Sequence, residues 1–178
     1  MNKATLTLCA FLLGTSLTAQ ATNSDEIIAV DTYKAQYNEA LSLYKSADYT
    51  KALPALEAMA QRGEKKAQYI VGVMYLNAQG TAQDLMKSYA WLKVANEQKT
   101  QQWRKPLNML NDKLPADYLV AVKDEANKYV DLYGAKAQQL KCRNSKTLGS
   151  KKATHLCKKV EVKDGFYFSA NNTLVAAN

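Results

Sequence analysis

The chain has 178 residues, with 24 basic and 16 acidic side chains, one histidine and three cysteines, for a formal net charge of +8. So few histidines and cysteines argue against a zinc site, which asks for about four ligands. No apolar run beyond the first residues reaches the roughly 20 residues of a membrane-spanning helix, which leaves a soluble chain as the expectation. The charge is uneven: residues 22–134 balance 14 basic against 14 acidic side chains, whereas residues 135–178 carry nine against two. Excess positive charge gathered at one end is an electrostatic footprint for an acidic partner, or else a loop kept solvated by its lysines.

Residues 1–21 read as a signal peptide. Lys3 supplies the positive start, Leu6 to Leu13 the apolar core, and Ala19-Gln20-Ala21 the small-residue cleavage pattern. Cys9 lies inside that core with no small residue just before it, so it does not read as a lipidation site. Cleavage after Ala21 leaves Cys142 and Cys157, an even number in an oxidising periplasmic or extracellular compartment. That arithmetic points to one disulfide. The alternatives are zinc, for which His155 alone could assist, and a redox pair, which ordinarily has about two residues between its cysteines.

A polar lead, Asn23 to Asp31, precedes the first helix, expected over about 31–46. Val30, Tyr33, Tyr37, Ala40 with Leu41, and Tyr44 recur at steps of three and four, which is one helical face. Asp48 is placed to cap a second helix, its carboxylate accepting unpaired amides of the first turn. Leu53, Leu56 and Met59 form the inward stripe of that helix, and Gly63 supplies its left-handed exit. The third helix, about 65–77, is apolar nearly all round. Ala67, Ile70, Val71 and Met74 make its core stripe, and Gly72 permits a close helix neighbour. Tyr69, Val73 and Leu76 lie on the opposite arc, either buried between stacked units or exposed as a binding wall. Gly80 falls in the following loop, and Asp84 caps a fourth helix with Leu85, Tyr89, Leu92 and Ala95 inward.

Two of these units lie 36 residues apart: Asp48 matches Asp84, Lys51 matches Lys87, and Leu56 matches Leu92. The offset is close to the period of roughly 34 of two-helix repeats. Ala67, Tyr69, Gly72, Tyr75, Gly80, Asp84, Lys87, Trp91 and Ala95 give this stretch a clear likeness: it resembles a Sel-one-like repeat, a cousin of the tetratricopeptide repeat. The family usually has glycine where Ala78 stands, and the ending around Ala95-Asn96 also departs from its pattern. The resemblance implies an all-α fold, a short right-handed solenoid of about three helix pairs. It implies protein or peptide binding in place of catalysis. A further step of 36 brings Trp103, Leu107, Leu110 and Leu114 into the core register, so a fifth helix opens a third, decayed pair. Pro115 starts the sixth, whose Leu119, Val122, Ala126, Tyr129 and Tyr133 run to Gly134.

Residues 135–178 form a basic appendage in which Ala135 to Lys141 could continue a helix and Leu148-Gly149-Ser150 marks a turn. Val160 and Val162, the Asp164-Gly165 turn and Phe166 to Phe168 read as a small β-hairpin. The last residues, from Ala170, are left unassigned. No nucleophile setting, phosphate loop or metal-ligand cluster occurs, so no catalytic residue and no cofactor are expected. Two binding readings follow. In the first, an exported adaptor presents Tyr37, Tyr44, Tyr69, Val73 and Leu76 to a protein or peptide. In the second, Arg143, Lys151, Lys152, Lys158 and Lys159 hold an acidic envelope polymer or nucleic acid.

Overall fold

Four helices stack in chain order, each meeting the next: α1 (Val30–Lys45), α2 (Tyr49–Gln61), α3 (Lys65–Leu76) and α4 (Leu85–Ala95). The structure, a computed structural model, describes residues 26–146 and 153–170. The expected signal segment, Cys9, Lys151, Lys152 and the turn expected at Leu148-Gly149-Ser150 lie outside the described residues.

The repeat shows first in the caps. The Asp48 carboxylate accepts from the Lys51 amide, and Asp84, 36 positions on, accepts from the Lys87 amide at 2.9 Å. The corners repeat too. Gly63 turns the chain at φ +87°, and Lys99, 36 residues later, holds φ +57° without the benefit of being glycine. Across α2, α3 and α4, Leu56, Met59, Val71, Met74 and Leu92 are fully enclosed. Burial of each such side chain is worth about 1.5–3 kcal/mol.

Gly72 performs the role its position suggests. A Cβ there would stand 2.7 Å from Leu92 Cγ, so α3 and α4 touch through the missing side chain. Gly80 is more constrained than a loop glycine suggests: at φ +76° its Cβ would collide with the Tyr49 carbonyl, whose carbon would be only 2.6 Å away. The loop after α3 therefore rests on the first turn of α2. Ala78, standing where the family carries glycine, keeps the left-handed turn at φ +53°, a conformation that costs about 1–2 kcal/mol outside glycine.

Beyond α4 the register loosens. Two short 3-10 turns, Asn96–Gln98 and Gln101–Trp103, lead into α5 (Arg104–Lys113), which buries only Leu107 and Leu110. A hydrogen bond from the Tyr89 hydroxyl to Asn111 (2.9 Å) ties α5 to α4. The long α6 (Ala116–Tyr133) packs extensively along α4, beside α3, and reaches α2. Trp91 packs at 5.0–5.1 Å against Tyr129 and Tyr133, which close this end of the core.

The appendage is β structure. Instead of extending a helix, residues 135–140 make one tight turn through Gln139 at φ +49°. The strands β2 (Lys141–Lys146) and β3 (Ala153–Lys158) then pair antiparallel, with Cys142 directly opposite Cys157 and the two bonded. The expected hairpin follows as β4 (Glu161–Lys163) and β5 (Phe166–Ser169). The lead before α1 is itself a strand, β1 (Glu26–Ala29), and completes a three-stranded sheet in the order β1-β5-β4. Ile27 and Ile28 face Phe168 and Tyr167, residues from the other end of the chain. Two apolar residues in a polar lead are too short a pattern to announce a strand, and the partner lies too far away in sequence to be seen.

A buried polar knot joins the helices to this appendage. Lys65, 2% exposed, donates to Gln68 (3.0 Å), the Val94 carbonyl (3.2 Å) and the Glu97 carboxylate (2.6 Å). Gln68 donates in turn to the carbonyls of Ala60 and Tyr133, and Glu97 also accepts from the Ala135 amide at 2.8 Å. One lysine and one glutamate thus hold the ends of three helices and the start of the tail.

Candidate functional site

Helices α1 and α3 carry the aromatic candidates. Tyr37, Tyr44, Tyr69, Val73 and Leu76 are all half-buried: each packs on the core and keeps an open side. On α3, Tyr69, Val73 and Leu76 thus lie between the two expectations, burial between stacked units and an exposed wall. Tyr69 lies flat against Trp103, ring centroids 5.0 Å apart and planes 8° from parallel. Tyr44 leans on Tyr49 at 5.6 Å. Burial raises the hydroxyl pKa of Tyr44, with Tyr49 and Tyr69 adding to it. Trp103 belongs to this aromatic row, although spacing alone assigns it to the core stripe of α5.

Tyr37 also borders a cavity of about 300 Å³ where the appendage folds over α1 and the Gly63 corner. The Tyr33 hydroxyl donates to Glu64 there at 3.1 Å, while the Tyr33 ring meets Tyr167 edge-on at 5.4 Å. Burial pushes the Glu64 carboxyl up, against the Tyr33 hydrogen bond and nearby lysines that pull it down. Burial pushes Tyr37 up as well, and the Glu64 charge adds to it. Lys159 donates to the Phe168 carbonyl at 2.5 Å and stands 5.9 Å from the Tyr33 ring centroid. Its ammonium is lowered to about 8, chiefly by burial and secondarily by Arg62, with Glu64 opposing.

The basic candidates divide. Arg143 and Lys158 are exposed on the β2-β3 hairpin, Lys159 is half-buried, and Lys151 and Lys152 are not described. A second cavity of about 300 Å³ gathers Arg143, Lys158 and Lys159 with Lys141, Ser145, Leu156 and Val160. It shares Leu156, Lys158 and Lys159 with the first. The structure therefore brings Tyr37 and two basic candidates into one neighbourhood and leaves Tyr44, Tyr69, Val73 and Leu76 outside both cavities. Sequence reasoning missed Tyr33, Glu64, Gln98 and Lys141. Only Lys141 carried a signal, as one more cation beside Cys142. Among the described residues no group of three or more His, Cys, Asp or Glu side chains could hold a metal ion.

These features define a helical-repeat solenoid with a disulfide-stapled β appendage. Among solved structures it is similar to a protective antigen present in uropathogenic Escherichia coli strains that displays an SLR fold, the fold of Sel-one-like repeats. The two are 23% identical with a TM-score of 0.54, over 67% of this chain and 27% of that one. The likeness establishes the fold, and the chain spans about a quarter of the antigen's length. No family model matches the chain, and no curated protein does.

Proposed function

We propose that this protein is a non-catalytic, exported repeat protein that binds a protein or peptide partner along the aromatic row of α1 and α3. The observation that carries this reading is the half-exposed row itself, Tyr37, Tyr44 and Tyr69 with Trp103 stacked on Tyr69. Aromatic side chains give large contact area for little lost freedom and dominate the energetics of protein interfaces, and stacked repeats commonly offer extended binding faces. The Cys142–Cys157 bond supports an oxidising compartment, periplasmic or extracellular. Among the described residues no helix is long and apolar enough to cross a membrane.

The test is capture of partners from an envelope extract with the disulfide-bonded protein, followed by affinity measurement on whatever is retained. Tyr69→Ala and Trp103→Ala should each weaken binding about tenfold or more while melting within a few degrees of the parent. Arg143→Gln with Lys158→Gln should leave it intact. Binding that survives the Tyr69→Ala, Trp103→Ala double variant would remove the aromatic row from consideration.

A further inference from the structure

The hairpin sorts its charges by face. Pairing sets Lys141 opposite Lys158, Arg143 opposite Leu156 and Ser145 opposite Thr154. With side chains alternating along each strand, these six share one face. Cys142, Asn144, His155 and Cys157 share the other, with Lys146 at its far end. On the disulfide face Cys157 is buried, its sulfur 3.9 Å from the Glu97 carbonyl just after α4. The opposite face lines the second cavity.

Two lysines directly opposed across a strand pair are destabilising, and among the described residues no ion pair offsets them. Lys141, Arg143, Lys158 and Lys159 line the cavity with no carboxylate among its lining residues. None of the four takes part in an ion pair among the described residues. The nearby Glu161 carboxylate accepts from the Gly165 amide, closing its own hairpin. Leu156 and Val160 supply an apolar wall, and the Ser145 hydroxyl can donate. Unlike lysines spread over a convex loop, these cations surround a hollow.

We propose that this cavity is a binding site for a compact oxyanion, a carboxylate or a phosphate monoester, carried on a small apolar or aromatic body. The guanidinium of Arg143 matches a planar or tetrahedral oxyanion through paired N–H donors. Lys141 and Lys158 neutralise it from either strand, and Leu156 and Val160 receive the body. The site is separate from the aromatic row and stands or falls independently of it.

The experiment titrates the disulfide-bonded protein, followed by amide resonances, with phenyl phosphate, N-acetylphenylalanine, N-acetylphenylalanine amide and inorganic phosphate. Both aromatic anions should give saturable shifts confined to residues 141–145 and 156–160, and the neutral amide should bind about tenfold more weakly or not at all. Arg143→Gln and Lys158→Gln should each lower the affinity about fivefold or more, whereas Lys146→Gln, the same charge change on the opposite face, should leave it within about twofold. The tighter of the two aromatic anions names the chemistry of the natural ligand. The proposal is overturned if neither anion saturates, if the amide binds as well as the acid, or if Lys146→Gln weakens binding as much as Arg143→Gln. Inorganic phosphate binding as tightly as phenyl phosphate would overturn its apolar half.

Discussion

The α3–α4 pair and the β appendage are held together in different ways. In α3–α4 the contacts are close in sequence and mostly apolar: Gly72 admits Leu92, and Val71 and Met74 vanish beneath them. In the appendage the contacts are polar, covalent or drawn from far along the chain: a disulfide, a lysine bonded to a carbonyl, and a strand borrowed from ahead of α1. A repeat can build its core by local fit, whereas a small β unit with little core of its own needs staples and a platform. The Lys65–Glu97 knot is where the two schemes meet.

Cutting that knot should have the largest effect. Glu97→Ala strands the Lys65 ammonium, whose side chain is 1% exposed, and frees the Ala135 amide. A loss of about 3 kcal/mol in denaturant unfolding is expected, because an uncompensated buried charge remains. The Lys65→Met, Glu97→Gln double variant should recover most of it. If Glu97→Ala melts like the parent, the two regions are not joined at this point.

Cys142→Ser should act on one side only. With the bonded cysteines 15 positions apart in sequence, the bond is worth about 3 kcal/mol to its own region by the chain-entropy account. Hydrogen exchange should show faster amides in β2 and β3 and unchanged ones in α3 and α4. Equal loss of protection throughout would mean that the solenoid and the appendage open as one unit.

The smallest effect is a pH dependence. Lys159 holds its proton to about pH 8 when folded, against an ordinary 10.5. Between those values the unfolded chain binds more protons, so stability should rise with pH across that window. Lys65, lowered by burial, pushes the same way. Above about pH 10 the buried Tyr33, Tyr37 and Tyr129 reverse the slope: burial raises their pKa, so only the unfolded chain releases those protons. Melts from pH 7 to 11 on the parent and Lys159→Gln check this, and the variant should lose part of the rise. An identical profile in the variant would place Lys159 in water.

What was legible in the sequence was whatever repeats or acts over a few residues. Asp48 and Asp84 announce helix starts, Gly63 a corner, Gly72 a close approach, and Cys142 with Cys157 a bond. The irregular third pair was legible only as decay: spacing placed Leu107 and Leu110 correctly in the core, yet could not reveal that α6 would take the place beside α4. Of the candidate site, the side chains were nameable and their company was not. Tyr37 meets Lys158 and Lys159 only because the appendage folds back over α1. Trp103 meets Tyr69 only because a 3-10 turn, which no periodicity signals, precedes α5. The Gly80 contact with Tyr49 was hidden too, since it joins a loop to the first turn of a helix 31 positions earlier.

The β1–β5 pairing carries a consequence for how the molecule is made. Ile28 cannot find Tyr167, 139 positions on, until the stretch between them has been synthesised, and closing so long a loop is entropically costly and slow. The helices can form in order as they emerge, each on the one before, while Ile28 waits uncovered. β1 thus precedes the helices in synthesis and is satisfied after them, and any factor escorting the nascent protein would meet that segment bare.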